Sequence, residues 1–205
     1  MTKNKYEAIF CDLGNVLINF DHRIAVKKIL AHTHKDEQDI YQLFFDSSLT
    51  KDYEEGKISS PDFLKKIRDS LNLDIDNKTL LPIWNNIFFE TPLNKKIQNF
   101  LIEMKGKYKL VMISNINETH YRFLAKKMPI FQEFDKLVLS YETGFRKPAK
   151  EIYDVALESV NTISSKTFYI DDRADLIDAA LGYGIEGIAF NSEDAFKKIE
   201  KELKP

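Results

Sequence analysis

The sequence predicts an α/β protein, a parallel sheet flanked by helices and interrupted after its first strand by a small helical bundle. Three observations carry that expectation. Short β-branched or aromatic runs recur along the chain, and helical apolar spacing separates the later ones. The stretch from about Asn19 to Glu90 breaks this alternation and shows apolar residues only at spacings of three and four. Several of the short runs end in Asp or Ser, and open parallel sheets bind their ligands beyond the carboxyl ends of the strands.

In chain order, the expected strands are Tyr6–Asp12, Tyr108–Ser114, Lys136–Ser140, Thr167–Asp171 and Gly187–Phe190. Each is bounded by polar residues or glycine, as a buried strand covered on both faces should be. Helices are expected through Ile97, Phe100, Leu101 and Met104, through Ile152, Val155 and Ala156, and through Phe196, Ile199 and Leu203. Strands alternating with helices imply βαβ units and hence a parallel sheet. The inserted stretch suggests four helices: Val26, Ile29 and Leu30; Ile40, Leu43 and Phe44; Phe63, Ile67 and Leu71; then Leu80, Trp84, Ile87 and Phe88. Ser60-Pro61-Asp62 reads as a helix start with Ser60 as N-cap and proline in the first turn. Trp84, Phe88 and Phe89 are expected in the core of the bundle or at its seam with the sheet. The expected division is a core of residues 1–18 and 91–205 and an inserted bundle of residues 19–90.

At 205 residues, 43% hydrophobic and 30% charged, the chain can bury a sizeable core and does not have the composition of a disordered segment. A net charge of −2 gives no reason to expect a nucleic-acid surface. No apolar run approaches the ~20 residues that span a bilayer. Met1-Thr2-Lys3-Asn4-Lys5 leads into a short strand rather than a signal-peptide apolar region. A cytoplasmic protein without membrane or nucleic-acid partners is therefore expected. The single cysteine, Cys11, excludes an internal disulfide and fits a reducing compartment.

Four separated stretches carry the chemistry: Cys11-Asp12-Leu13-Gly14-Asn15, Ile113-Ser114-Asn115, Arg146-Lys147-Pro148 and Ile170-Asp171-Asp172-Arg173. Taken singly, each has a plain structural reading as a strand end, a helix cap or a surface loop. Together they supply a candidate nucleophile, a hydroxyl, an ammonium and paired carboxylates, the set that an active site neutralising phosphate charge requires. Clustered carboxylates imply a raised pKa or a bound cation, and all-oxygen ligation favours Mg²⁺. With phosphate charge neutralised, a carboxylate can attack phosphorus and form an acyl-phosphate. Cys11 is not expected to act as a thiol nucleophile, because the arginine such a site needs six positions on is here Leu17.

These stretches, in this order, resemble the signature motifs of the haloacid dehalogenase-like hydrolases, most of which are Mg²⁺-dependent phosphatases with a Rossmann-like core and a helical cap. Asp12-Leu13-Gly14-Asn15-Val16, Ser114-Asn115-Ile116-Asn117 with His120, Gly144-Phe145-Arg146-Lys147-Pro148 and Asp171-Asp172 are similar to the branch containing bacterial α-D-glucose-1-phosphate phosphatase and the N-terminal phosphatase domain of soluble epoxide hydrolase. Tyr53-Glu54-Glu55-Gly56-Lys57-Ile58-Ser59 is similar to that branch's cap. The resemblance implies Asp12 as nucleophile and metal ligand, the Gly14 carbonyl and Asp172 as further ligands, and Asp171 orienting a metal-bound water or Lys147. It implies that Ser114, the amide of Asn115, and Lys147 hold the phosphate. His120 matches a position often histidine in the branch, and a hydrogen-bonded histidine at a helix start explains it as well.

Two positions depart from the wider family. Most of its phosphatases carry a second Asp two residues after the nucleophile as general acid and base, where this chain has Gly14. Such help is worth about 10² to 10⁴ in rate, so its loss favours acidic leaving groups and makes a sugar 1-phosphate a sensible substrate. The glycine is also compatible with a positive φ angle in a tight loop. Four residues after Asp172, where Asp or Asn is usual, stands Leu176, and the neighbouring Asp175 would point elsewhere on a helix. The leading expectation is a Mg²⁺-dependent phosphatase of a small phosphorylated metabolite. The alternatives are an inactive phospho-ligand sensor, motivated by Gly14 and Leu176, and a metal-independent 2-haloacid dehalogenase, against which the Asp171-Asp172 pair argues. His22, Arg23, Phe44 and Phe45 are candidate specificity residues. No feature of the sequence specifies an oligomeric state.

Overall fold

The computed structural model describes residues 5–204. Met1–Asn4, the start of the segment expected to lead into the first strand, and Pro205 lie outside the described residues. The central strand β1 (Ala8–Cys11) is flanked by β4 (Lys109–Ser114) and β6 (Thr167–Asp171), with β5 (Lys136–Leu139) and β7 (Glu186–Ala189) at the two edges. Every pairing in this five-stranded sheet is parallel. Alternation along β1 sends Ile9 and Cys11 to one face and Ala8 and Phe10 to the other. Helices α6 (Pro92–Met104) and α11 (Glu193–Leu203) cover the first face through Ile97, Phe100, Met104, Phe196 and Ile199. Helices α9 (Lys150–Ser159) and α10 (Ala174–Gly182) cover the second through Ile152, Tyr153, Ala156 and Ala180. Both faces are closed, so all of β1 is buried, and this is why its sequence reads as a continuous apolar run.

Between β1 and α6 the chain forms α1 (Arg23–Ile29), α2 (Glu37–Phe45), α3 (Ser48–Glu54), α4 (Ser60–Leu71) and α5 (Asn77–Asn85). These helices bury a cluster of their own around Val26, Ile40, Phe44, Phe63, Ile67, Leu80 and Trp84. Helix α3 escapes the apolar spacing because the residues it buries are Thr50 and Tyr53. Four of the helix starts are capped, with Asp36, Ser47, Ser59 and Asp76 each accepting from a backbone N–H three residues on. The cap of α4 is thus Ser59 rather than Ser60. Ser60 sits in the first turn, and its hydroxyl donates to the Glu118 carboxylate.

The structure also corrects the end of the last bundle helix. Helix α5 stops at Asn85, and β3 (Phe88–Phe89) pairs antiparallel with β2 (Asn19–Phe20) in a two-stranded ribbon. Ile87 and Phe88 therefore leave the helical face that their spacing suggested, because pairing with β2 overrides it. The bundle is tied to α7 (Glu118–Ala125) by Trp84 Nε1 donating to Thr119 Oγ1 at 3.1 Å and Tyr53 Oη donating to the same oxygen at 3.2 Å. On the other side, Gly56 (φ +68°) lies against the Tyr141 carbonyl in the short helix α8 (Ser140–Thr143). Ser140, expected to end the third strand, opens that helix. No helix among the described residues is long and apolar enough to cross a membrane.

Candidate active site

Parallel pairing of β1 with β4 and β6 brings Cys11 level with Met112 and Ile170, so the carboxyl ends of the three strands open on one edge. Asp12 follows β1, Ser114 ends β4 and Asp171 ends β6. They meet where strand order reverses, the ligand-binding crevice of open α/β sheets. A cavity of about 270 Å³ lies there. Asp12, Gly14, Asn15, Ser114, Asn115, Lys147 and Asp172 line it from the sheet, and Phe20, His22, Phe45, Glu54, Trp84 and Phe88 from the ribbon and bundle.

Lys147 is the centre of the floor. Its Nζ lies 2.7 Å from Asp12 Oδ1 and 2.7 Å from Asp171 Oδ2 in a buried ionic triad. Burial works against the ammonium, but the two carboxylates outweigh it and hold the Lys147 pKa above its ordinary value. The Asn115 side chain holds the Lys147 backbone: Lys147 N–H donates to Asn115 Oδ1 at 2.8 Å, and Asn115 Nδ2 donates to the Lys147 carbonyl at 3.0 Å. A loop lysine is thereby tied to the end of β4.

Each carboxylate has a different environment. Burial pushes the Asp12 carboxyl up to about 7, with the Lys147 charge opposing and the Asp171 and Asp172 charges adding to the rise. Asp171 is inaccessible to solvent and fully engaged, accepting from Lys147 and the Tyr169 hydroxyl on Oδ2 and from the Arg173 N–H at 3.0 Å on Oδ1. It stands behind Lys147 rather than on the cavity wall. Burial also raises the Asp172 pKa, against a hydrogen bond from Asn15 Nδ2 at 3.0 Å. One oxygen from each of the three aspartates falls within 4.8 Å of the others. The Lys147 ammonium offsets only part of the charge of three carboxylates that close, and Asp12 and Asp172 are the members that face the cavity. The cluster therefore suits a divalent cation with oxygen ligands.

The two departures from the family pattern acquire physical reasons. Gly14 does not have a positive φ; a Cβ there would lie 2.8 Å from Phe20 Cε1, so any side chain at this position requires the ring to shift. The left-handed residue is Asn15, at φ 53°. Leu176 is buried and lines the cavity, while Asp175 is exposed and pairs with Arg173. Support for Asp172 comes instead from Asn15, a role that sequence reasoning missed although asparagine is among the few residues that tolerate this backbone conformation.

Other candidates sort clearly. Cys11 is wholly buried, its Sγ donates to the Asp12 carbonyl at 3.1 Å, and burial pushes its thiol up, all unlike a reactive cysteine. His120 donates from Nε2 to the Trp84 carbonyl at 3.0 Å and accepts at Nδ1 from Asn117 Nδ2 at 3.0 Å, so this neutral ring joins α7 to α5. Burial holds its pKa down at about 3. His22 and Phe45 line the cavity; Phe44 belongs to the bundle core, and Arg23 pairs with Asp21 outside it. Trp84 and Phe88 serve both the seam and the cavity wall, whereas Phe89 is exposed. Sequence reasoning also missed an ion pair across the seam, Arg146 Nη2 to Glu54 Oε2 at 2.8 Å.

A family model described as haloacid dehalogenase-like hydrolase matches residues 6–184. The chain belongs to the haloacid dehalogenase-like hydrolases. This hydrolase is 26% identical over 184 residues to D-ribitol-5-phosphate phosphatase of Bacteroides thetaiotaomicron, a match covering 87% of this chain and 88% of that protein. Among solved structures, a haloacid dehalogenase family enzyme of the same organism, in complex with magnesium and inorganic phosphate, superposes with a TM-score of 0.81 at 24% identity, covering 93% of this hydrolase and 98% of that chain. An L-2-haloacid dehalogenase of Xanthobacter autotrophicus superposes less closely, with a TM-score of 0.62 at 15% identity, covering 94% and 81%. At these identities the two superpositions speak for the shared fold.

Proposed function

We propose that this hydrolase is a Mg²⁺-dependent phosphatase of a small sugar or sugar-alcohol phosphate, working through an aspartyl-phosphate on Asp12. The observation that carries the reading is the Lys147 ammonium seated between Asp12 and Asp171, with Asp172 beside them, on the floor of a cavity between the sheet and the bundle. Asp12, Asp172 and the Gly14 carbonyl would hold the cation. When bound, Mg²⁺ neutralises phosphate charge and lowers the repulsion between the phosphoryl group and the Asp12 carboxylate.

Asp12 attacks phosphorus through a carboxylate oxygen, an O–P bond forms, and the ester O–P bond breaks as the alkoxide departs and takes a proton from water, position 14 offering no acid. Water then hydrolyses the acyl-phosphate and returns Asp12. Lys147, Ser114 and the Asn115 amide hold the phosphoryl oxygens, while Asp171 and Tyr169 keep the ammonium in place. Residues 19–90 act as the cap that closes this site over the phosphate.

The cavity volume of about 270 Å³ lies just below the usual span of ligand sites, about 300 to 1,000 Å³. A short carbon chain suits it better than a nucleoside or an isoprenoid. The ribitol-5-phosphate relative supports a sugar-alcohol phosphate; the missing acid at Gly14 favours a sugar 1-phosphate, whose leaving group is more acidic. Lone, buried Cys11 fits a reducing cytosol.

A panel of phosphorylated metabolites with and without Mg²⁺ tests the reading. Phosphate release abolished by a chelator is expected. Chloride release from 2-haloacids without metal would select the dehalogenase instead, and phosphate-ester binding without turnover would select the sensor.

A further inference from the structure

The cavity wall supplied by the ribbon and bundle is of two kinds. Most of it is aromatic: Phe45 stacks on His22 at 3.7 Å between ring centroids and lies parallel to Trp84 at 5.4 Å, so the three rings form one rigid stack. Set into this wall is the Glu54–Arg146 pair, which the phosphoryl chemistry does not use. Arg146 engages Glu54 through Nη2, while its Nε is buried without any hydrogen-bond partner. Both side chains line the cavity and keep part of their surface open, 20% for Glu54 and 25% for Arg146, so a ligand can reach the outer edge of the pair.

The pair is also held rigidly with respect to the phosphate-binding floor. Arg146 immediately precedes Lys147, whose backbone is fixed on both sides by Asn115. Glu54 ends α3, and two residues later Gly56 meets the Tyr141 carbonyl so closely that a Cβ at position 56 would lie 2.2 Å from the oxygen. No larger residue fits there, so the end of α3 is docked against the core with Glu54 beside Arg146. Groups that read an organic substituent must keep a constant distance from the group that holds its phosphate.

We propose that Glu54 and Arg146 select the substrate's organic group, accepting from and donating to the hydroxyls of a polyhydroxylated carbon chain whose C–H face lies against Phe45 and Trp84. The proposal rests on the phosphatase reading and names its selectivity element. A purely apolar or aryl group would cover the rings and dry the ion pair while giving its outer atoms no hydrogen bonds in exchange for water. The site therefore favours a polyol or sugar phosphate over an aryl phosphate of similar size, through substrate binding more than through turnover.

The test compares kcat/KM for D-ribitol 5-phosphate and phenyl phosphate, with Mg²⁺, in the full chain and in Glu54→Gln, Glu54→Asp and the charge-balanced double variant Glu54→Gln/Arg146→Gln. The ribitol-to-phenyl ratio is expected to fall by about tenfold or more in Glu54→Gln and in the double variant, chiefly through KM, with partial recovery in Glu54→Asp. A ratio that stays within about threefold of wild type in the folded variants overturns the proposal. Calorimetric binding of D-ribitol 5-phosphate and inorganic phosphate to Asp12→Asn, with and without Glu54→Gln, separates the two readings. Failure of the wild-type protein to hydrolyse either ester would refute the phosphatase reading, and the selectivity proposal then stands or falls on calorimetry. Loss of the preference for ribitol 5-phosphate over phosphate on Glu54→Gln supports it; no such preference, or an unchanged one, overturns it.

Discussion

Asn15 Nδ2 donates to Asp172 Oδ2 at 3.0 Å, so the residue that turns the chain after the first strand also orients a carboxylate after β6. Helix α10 offers Asp172 no such support, because Leu176 is apolar and Asp175 is turned to Arg173. Asn15→Gly keeps a residue able to adopt φ 53° and removes only the amide. It is expected to raise the Mg²⁺ concentration for half-maximal activity about 10- to 100-fold. Asp172→Ala should be worse still, and Asp175→Ala nearly neutral. A Mg²⁺ titration of phosphate release checks all three, and equal effects of the two aspartate variants would mean that the ligand assignment is misplaced.

Asp12→Asn should lower turnover by at least about 10³-fold, because a carboxamide cannot form the acyl-phosphate. The fold should survive, since the amide oxygen can still accept from Lys147. Single-turnover assays with circular dichroism on the same sample decide it, and a variant with a substantial share of wild-type activity would refute the nucleophile.

Gly14→Asp tests whether the missing acid limits the reaction. A Cβ at 14 meets the Phe20 ring, so the single variant is expected to lose about 1–3 kcal/mol of stability. Gly14→Asp/Phe20→Leu relieves the clash and should be compared with Phe20→Leu alone. Across an alkyl-to-aryl phosphate series, the added carboxyl should raise the alkyl rates by up to about 10²-fold more than the aryl rates. A wild-type slope already shallow would show that another group or water supplies the proton.

Stability should fall on acidification because of His120. Burial holds its folded pKa at about 3, whereas an unfolded histidine titrates near 6.5. Between those values the unfolded chain binds the extra proton, so stability present above about pH 6.5 is lost as pH falls through the window. Protonation would also give Nδ1 a hydrogen facing the Asn117 amide donor. Urea unfolding at about pH 7.5 and about pH 5 should show the wild-type advantage over His120→Gln shrinking by on the order of 2 kcal/mol. A gap independent of pH would contradict the neutral, buried histidine.

The sheet and the floor of the site were legible in the sequence because both follow from local patterns. Buried strands must be short apolar runs, and in a parallel sheet the residues that end them share one edge; Asp12, Ser114 and Asp171 needed no further information to be brought together. Helix α3, the β2–β3 ribbon, the hydrogen bond from Asn15 and the contact of Glu54 with Arg146 were not legible. Helix α3 buries Thr50 and Tyr53 rather than an apolar repeat, and Phe88 continues a helical spacing that a partner strand overrides. The contact that crowds position 14 comes from the ring of Phe20 rather than from the backbone of Gly14 itself. Periodicity and motif spacing record which face a residue presents and which element it ends. Which side chain fills the space opposite is decided by packing between segments far apart in the chain, and only the tertiary structure contains it.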